Sequence, residues 1–230
     1  MSRTLNVVRM QLVNRQTYIW VPVMVLCGSL LISLAIYAII SGAGVDAEMF
    51  GGGAQAPLWY FAVVGTQALS FTFPFSQAMS VTRREFFVGT LLTAVLTSAL
   101  LAVIFIGGGL LEQATNGWWM RGYFFYIPGV WDAGPLAAGL FFTLAMLFFV
   151  AGFWGATIFK RWGTVALTAT MIAIAVVLVG ALWLVGRFDA WASVGTWIAT
   201  MGSVGMSLWG LVLVVVLAGT SFLTLRRAVP

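Results

Sequence analysis

Histidine is absent from this chain of 230 residues, and cysteine occurs once, at Cys27. Without histidine there is no Ser-His-Asp triad, no HExxH zinc site and no imidazole base. One cysteine excludes an intrachain disulfide, and without paired carboxylates in the apolar segments neither an aspartyl dyad nor a metal site is predicted. The only lysine, Lys160, follows Phe159 and not glycine, so there is no Walker A loop. We therefore expect a protein that is not an enzyme and holds no cofactor of its own.

Charged residues are also scarce, at 7% of the chain, whereas 62% of the residues are hydrophobic. A soluble domain is usually about half apolar and about a quarter charged, so this composition indicates an integral membrane protein. A helix needs about 20 apolar residues to cross a bilayer, and six runs are long enough: 18–41, 57–79, 86–109, 135–158, 163–186 and 204–225. The first run is longer than the apolar part of a signal peptide, so we expect it to be retained. The predicted fold is an all-α membrane protein with six transmembrane helices, forming a single domain over residues 1–230.

Positive charge is distributed unevenly among the segments between these runs. Nine basic residues fall on one side of the predicted membrane: Arg3, Arg9, Arg15, Arg83, Arg84, Lys160, Arg161, Arg226 and Arg227. The other side has fewer basic residues and most of the acids: Arg121, Arg187, Asp46, Glu48, Glu112, Asp132 and Asp189. Because cytosolic loops are enriched in Lys and Arg, both termini are predicted to be cytosolic. The asymmetry accounts for the net charge of +5, so no nucleic-acid partner is expected.

Two segments outside the spans are expected to form short helices. In residues 3–17, Leu5, Val8 and Leu12 fall near one face at helical spacing, which favours a helix on the inner membrane surface. A disordered leader is the alternative for this segment. Residues 112–132 form the longest external segment and are rich in Trp, Tyr and Phe, as in the aromatic belt of a membrane protein. A short interfacial or re-entrant helix is expected there, and an outer gate is the alternative interpretation.

Span four is expected to pack closely against another helix. Gly152 and Ala156 are four residues apart, and small residues at this spacing permit close approach of helices. Only the tight turn of residues 160–163 separates span four from span five.

Residues 80–90, SVTRREFFVGT, connect the second and third runs. Thr82 and Glu85 have the spacing of a capping box, which predicts that a helix begins at Arg83. Arg83 and Arg84 give the segment a basic tip, and Phe86 lies at its base. Two interpretations follow from these residues. The segment docks into a groove of a cytosolic partner, or its arginines only fix the orientation and lie near anionic lipid head groups.

Span two is the most polar of the six. Its polar residues and its proline share one helical face: Gln67, Ser70, Pro74 and Gln77. In a bilayer such a face must meet protein, water or substrate, because unpaired polar groups in hydrocarbon are costly. It is either the wall of a translocation path or a surface for hydrogen bonds between helices. The proline is also expected to kink the helix.

The distribution of charge also bears on how a solute could be moved. All seventeen charged residues lie in loops, tails or span ends. Coupling of transport to protons or ions usually depends on ionisable residues within the spans, so a secondary transporter is disfavoured. If the chain moves a solute uphill, the energy must therefore come from a partner, and residues 80–90 are the best docking segment available.

The residues FPFSQAMSVTRREFFVGTLL, with six spans, both termini inside and a basic amino-terminal segment, resemble the permease subunits of bacterial ABC-2-type transporters. In that family the segment is a short coupling helix, between spans two and three, that inserts into the ATP-binding subunit. The amino-terminal stretch of the family forms an interfacial elbow helix. The matching positions of the coupling segment are Ser80, Val81, Thr82, Arg83, Arg84, Glu85, Phe86 and Gly89. Ser80 stands where such permeases often have glycine.

The resemblance implies an exporter in the bacterial cell membrane, and it favours the docking interpretation of the two arginines. The assembly would contain two permease chains, identical or different, and two cytosolic ATP-binding cassette subunits that hold ATP and Mg²⁺. Closure of those subunits would tilt the coupling turns and rock spans one, two and five against the second permease. An uncharged interior suggests an apolar or amphipathic substrate. The alternatives are a six-span substrate-capture component of an uptake system and a non-transporting membrane scaffold or immunity protein.

Overall fold

The computed structural model describes residues 3–44 and 47–226, without the side chains at positions 132, 133 and 135. Asp46 and Arg227, which the orientation argument used, lie outside the described residues, as do both chain ends and the side chain of Asp132. The described chain is almost entirely helical, in agreement with the predicted all-α class. Seven α-helices follow one another in it: α1 (Arg3–Val13), α2 (Val21–Gly42), α3 (Ala56–Gln67), α4 (Phe73–Ala78), α5 (Arg83–Ala114), α6 (Ala138–Arg187) and α7 (Trp191–Leu225).

Shorter elements join these helices. A π-helical segment, Gln16–Trp20, leads into α2, and a second one, Ala68–Thr72, joins α3 to α4. Two strands of two residues each, β1 (Met49–Phe50) and β2 (Gly122–Tyr123), pair in parallel. Two 3₁₀ turns, Gly52–Gln55 and Trp131–Ala137, precede α3 and α6.

Four helices of the described chain are long and apolar enough to cross a membrane: Gln16–Gly42, Arg83–Ala114, Ala138–Arg187 and Trp191–Leu225. Their length and composition fit a membrane protein. Two features of the helices explain why this number is lower than the six predicted runs. Helix α6 extends over 50 residues and so includes most of the fourth run and all of the fifth. The second run is divided among α3, the π-helical segment Ala68–Thr72 and α4.

Glycine interrupts the two longest apolar helices. Gly163 in α6 has φ 81° and ψ −174°, and Gly202 in α7 has φ 58° and ψ −171°. Glycine reaches such conformations without the steric cost that a side chain imposes. The helical path is therefore kinked at the end of the predicted turn 160–163, and again about a third of the way along α7.

A very close contact in the bundle lies between α3 and α6. Gly152 lies directly against the backbone carbonyl of Ala62, and Gly65 lies directly against that of Phe149, so neither site has room for a Cβ atom. The Thr66 hydroxyl donates a hydrogen bond to the carbonyl of Gly152 at 3.2 Å. The close approach predicted for the small residues of span four is thus confirmed.

Packing is very uneven along α6. The half before Gly163 buries ten side chains against the bundle, whereas every residue from 171 to 184 is exposed. Residues 191–200 of α7 are also exposed almost throughout. The compact part of the molecule therefore consists of α1 to α5, the first half of α6 and the second half of α7.

Helix α1 is present as predicted, and of its predicted apolar face Val8 is buried and Leu12 is half-buried. Val7 and Gln11 are buried against α5, whereas Leu5 remains 48% exposed. The contact is close because Gly89 of α5 offers no side chain where Val7 approaches, and the amide of Gln11 donates to the Thr90 hydroxyl at 2.9 Å. The predicted face is thus confirmed for Val8 and wrong for Leu5, because α1 also buries Val7 and Gln11 against another helix.

The segment 112–132 also differs from its prediction. Helix α5 continues to Ala114, and an irregular turn, Gly117–Arg121, leads into β2. In place of one short helix, the segment thus has a turn, a strand and the 3₁₀ turn Trp131–Ala137. Pairing of β2 with β1 joins this segment to the loop that follows α2.

Candidate functional site

The predicted capping box is present at the start of α5. Thr82 is the N-cap residue, and its hydroxyl accepts a hydrogen bond from the backbone N–H of Glu85 at 3.2 Å. In return, the Glu85 carboxylate accepts from the backbone N–H of Thr82 at 2.9 Å and from its hydroxyl at 2.8 Å. Helix α5 begins at Arg83, as predicted. The two side chains thus satisfy backbone N–H groups at the start of α5 reciprocally.

The turn is also fastened to the end of α4. The backbone N–H groups of Ser80 and Val81 donate to the carbonyls of Gln77 and Ser76, at 3.0 and 3.1 Å. The Gln77 side chain donates to the carbonyl of Val81 at 3.1 Å. Ser80 adopts a left-handed conformation, with φ 59°, which reverses the chain between the two helices. This conformation is the physical reason why glycine suits the position.

The two predicted docking arginines occupy different environments. The Arg83 guanidinium donates to the carbonyl of Arg226 at 2.6 Å and to that of Leu225 at 3.5 Å, so it caps the C-terminal end of α7. Arg84 is exposed, and no described carboxylate lies within ion-pair distance of it. Of the pair, Arg84 is the one whose charge is available to a partner.

Phe86 connects the turn to the interior. Its side chain is fully buried and meets Phe73 edge-on, with ring centroids 5.1 Å apart. The neighbouring Phe87 packs against Phe153 of α6 and Phe222 of α7, at 6.1 and 5.0 Å. Both phenylalanines therefore pack against other helices of the chain. They link the turn to three other helices.

The four residues of the predicted polar face are less enclosed. Gln67, Ser70 and Gln77 are half-buried, and Pro74 is exposed. The π-helical segment Ala68–Thr72 lies between Gln67 and Pro74, so the 3.6-residue period behind the single-face argument is interrupted there. Pro74 leaves the carbonyl of Ser70, in this π-helical segment, without its helical donor, and the kink expected at the proline stays a prediction. The role of these residues in a path stays a prediction.

A stripe of four buried hydroxyl side chains, which was not predicted from the sequence, lies on α5. They are Thr90, Thr93, Thr97 and Ser98. Thr93 and Thr97 donate to backbone carbonyls one turn earlier in the same helix, those of Gly89 and Thr93, at 3.1 and 2.9 Å. The spacing of three to four residues in the sequence was the available signal for this stripe.

Glu112 is the most enclosed charged group in the described chain, and the sequence argument placed it only as an external acid. Its side chain is fully buried at the C-terminal end of α5. One carboxylate oxygen accepts from Trp118 Nε1 and the backbone N–H of Phe124, and the other accepts from the N–H groups of Phe125 and Tyr126, each at 2.8 Å. We call the segment 115–131 that folds around this carboxylate the aromatic cap.

The aromatic cap is joined to the loop after α2. The hydroxyl of Tyr37 donates to the carbonyl of Tyr123 at 2.9 Å, and the Phe50 and Tyr123 rings stack at 5.6 Å. Arg121 lies 3.6 Å from Glu48 in an exposed ion pair. Hydrogen bonds, stacked rings and opposite charges thus close this end of the bundle.

The aromatic cap and the turn of residues 80–86, the arginine turn, lie at opposite ends of α5. This helix has 32 residues, a length of about 48 Å at 1.5 Å per residue. Within residues 3–44 and 47–226, no group of three His, Cys, Asp or Glu side chains is placed to hold a metal ion. The described chain thus has a charged turn at one end of α5 and the aromatic cap at the other, with a largely apolar bundle between them.

Comparisons with known proteins add no family to this description. No protein-family model, curated protein or solved structure matches the chain. The function is therefore argued from the geometry of the turn, the bundle and the cap, together with the resemblance carried by residues 80–90.

Proposed function

We propose that the chain is the permease subunit of an ABC-2-type ATP-binding cassette transporter in a bacterial cell membrane. It exports an apolar or amphipathic substrate, and a separate cytosolic subunit binds and hydrolyses ATP with Mg²⁺. The observation that carries the proposal is the turn at residues 80–86: a capping box, one exposed arginine and a buried phenylalanine that reaches into the bundle.

The proposal includes six spans with both termini in the cytosol. The kink at Gly163 divides α6 into 138–162 and 164–187, and each part has enough residues to cross a hydrocarbon core of about 30 Å. The helical residues 56–78, which include α3 and α4, supply the remaining span. The basic residues Arg83, Arg161 and Arg226 lie at one end of the bundle, and the positive-inside rule assigns this end to the cytosol.

The contacts of the turn provide a route for mechanical coupling. A push on the turn by an ATPase subunit reaches span two through Phe86 and Phe73 and through the bond from Gln77 to Val81. It reaches the amino-terminal helix α1, which serves as the elbow, through the close contact at Gly89. Because the turn is held by hydrogen bonds on both sides, it moves with these helices and does not bend separately.

The second permease chain contacts the surfaces that this chain leaves exposed. Helix 164–187 is apolar and exposed along most of its length, so it is the span we assign to that interface. Gln67, Ser70 and Pro74 also lie at the surface of the single chain. A path that runs between two chains has its walls on such surfaces, and polar groups there avoid hydrocarbon by facing the path.

The test is affinity purification of the chain from its own host in mild detergent, with mass spectrometry of the co-purifying proteins. We expect a stoichiometric ATP-binding cassette subunit. Arg84→Glu should remove it, because the substitution reverses the exposed charge without disturbing a contact within the chain. Arg15→Glu is the matched control, since it reverses an exposed arginine outside the turn, and it should retain the subunit.

The double change Arg83→Glu with Arg84→Glu should also abolish partner ATPase stimulation while membrane insertion persists. Retention of the ATPase by the Arg84 variant would contradict docking at the turn. Recovery of the chain alone would favour the scaffold or immunity protein, and recovery with other membrane subunits only would favour the capture component.

A further inference from the structure

Three cavities follow one another at the arginine end of the bundle. The first, of about 610 Å³, is lined by Arg83, Arg84, Phe222 and Arg226. The second, of about 420 Å³, is lined by Arg161, Leu223, Thr224 and Arg226, so Arg226 borders both. The third, also of about 420 Å³, is an apolar cleft between the two halves of α6 and the end of α7, lined by Trp154, Ile158, Trp162, Ala166, Thr170 and Thr224. Thr224 joins the second cavity to this cleft.

The first two cavities carry uncompensated positive charge. Four arginines surround them, from the start of α5, the kink of α6 and the end of α7: Arg83, Arg84, Arg161 and Arg226. Among the residues that the structure describes, none of the four has a carboxylate within 4.0 Å. The C-terminal carbonyls of α7 are negative and would repel an anion, but Arg83 already donates to two of them. The surplus guanidinium groups are therefore left to attract an anion.

The cleft gives the site a second, apolar part. Two tryptophans, an isoleucine and an alanine line it, and it reaches from the kink toward the middle of spans four and five. The Arg161 guanidinium lies over the Trp162 ring, 4.1 Å from its centre, so the charged and apolar parts meet at one pair of side chains. A ligand that fills both parts has an anionic head and a hydrocarbon chain.

We propose that this is a binding site for an anionic phospholipid. The phosphate lies between Arg161 and Arg226, and one acyl chain lies in the cleft beside Ala166 and Thr170. Guanidinium groups match phosphate oxygens with paired N–H donors, and basic pockets at the ends of spanning helices are a known setting for lipid head groups. Free phosphate would leave the cleft empty, and an acidic peptide would have to enter between two spans. The assignment does not depend on the proposed transport function.

The experiment is native mass spectrometry of the full chain in detergent, titrated with dioleoyl phosphatidylglycerol or with dioleoyl phosphatidylcholine. We expect the anionic lipid to bind more tightly, because only it carries a net charge. The double variant Arg161→Gln with Arg226→Gln should weaken phosphatidylglycerol binding about 25-fold, at roughly fivefold for each arginine. The matched control is Arg15→Gln with Arg187→Gln, which removes the same charge at exposed positions outside the cavities and should change binding less than twofold.

A second variant tests the cleft without changing charge. Ala166→Phe fills the space beside Thr170, so it should weaken phosphatidylglycerol binding while the thermal unfolding temperature shows that the protein is folded. Equal loss in the control double variant, or equal binding of the two lipids, would overturn the proposal. Displacement of the lipid by an equal concentration of inorganic phosphate would assign the cavity to free phosphate instead. Unchanged lipid binding with loss of a co-purifying protein would assign the arginines to a protein partner.

Discussion

The two ends of the bundle differ in whether their charged side chains have partners within the chain. At the aromatic cap, the carboxylate of Glu112 is enclosed by four N–H donors of its own chain, and Arg121 pairs with Glu48. At the other end, Arg84 and Arg161 have no described carboxylate within ion-pair distance. A group whose partners are all internal serves the fold, whereas a charge without a partner is available for binding. The charged groups at the cap end therefore have partners within the chain, whereas the arginine end is where we propose that lipid and another protein bind.

The backbone shows the same contrast. Four residues other than glycine have positive φ angles in the cap segment: Asn116, Trp118, Trp119 and Arg121. Such conformations cost about 1–2 kcal/mol each for residues with a Cβ atom, so they persist only where surrounding contacts hold them. At the arginine turn, Ser80 alone is in this region. The cap is thus a strained structure held by Glu112, and the turn is a nearly relaxed one.

The largest effect is expected when the internal partner of the cap is removed. Glu112→Ala leaves four N–H donors without their acceptor, and an unsatisfied buried donor costs about 1–3 kcal/mol. With the strain of the cap added, we expect at least about 3 kcal/mol of destabilisation, or a Tm about 10 °C lower for a chain of this size. Tryptophan fluorescence during heating in detergent measures it, since the cap contains Trp118 and Trp131.

The matched control for this prediction is Glu48→Gln. Glu48 lies at the same end but is exposed, and an exposed ion pair contributes about 1 kcal/mol at most. If Glu48→Gln lowered the Tm as much as Glu112→Ala, the contrast between the two carboxylates would be wrong. The enclosed carboxylate would then be no more important to the fold than a surface charge.

A smaller effect is expected at the contact that lies between the two ends. In Gly152→Ala, the new methyl group meets the carbonyl of Ala62, and overpacking of this kind costs about 1–3 kcal/mol. Gly180→Ala is the control in the same helix, because nothing lies within 4 Å of the added atom and alanine is the better helix former. Thermal unfolding should show a lower Tm for the first variant and an equal or higher one for the second. Equal results would mean that α3 and α6 are not in close contact.

Whether a hydrogen bond could be predicted from the sequence depended on how far apart its two residues lie along the chain. Thr82 and Glu85 are three residues apart, so their residue types alone identified the capping box and the start of α5. The partners of Glu112 are up to 14 residues away and three of the four are backbone N–H groups, which residue types do not reveal. Arg83 meets carbonyls 142 and 143 residues later, so its role as a helix cap was visible only in three dimensions.

The apolar pattern of the sequence predicted some features of the fold and missed others. It identified the membrane class, because that depends only on how many apolar residues occur together. It did not show that the helix around Pro74 widens into a π-helical segment, since that segment changes the period on which the face was assigned. The close approach at Gly152 was predictable, because small side chains are its direct cause, but the identity of the partner helix α3 was not.

The smallest effect is expected at Ser80, and it sharpens the view that the turn is nearly relaxed. A residue with a Cβ atom at φ 59° lowers the free energy of unfolding by about 1 kcal/mol. Ser80→Gly should therefore leave stability unchanged or raise it by up to about that amount. Ser80→Val should lower it by more, because a branched Cβ fits this region worst. Both substitutions leave Arg84 in place, so ATPase co-purification should follow the Tm of each variant. A glycine variant that folds well but loses the ATPase would show that the serine hydroxyl itself contacts the partner, and the turn would then be a chemical recognition site as well as a rigid one.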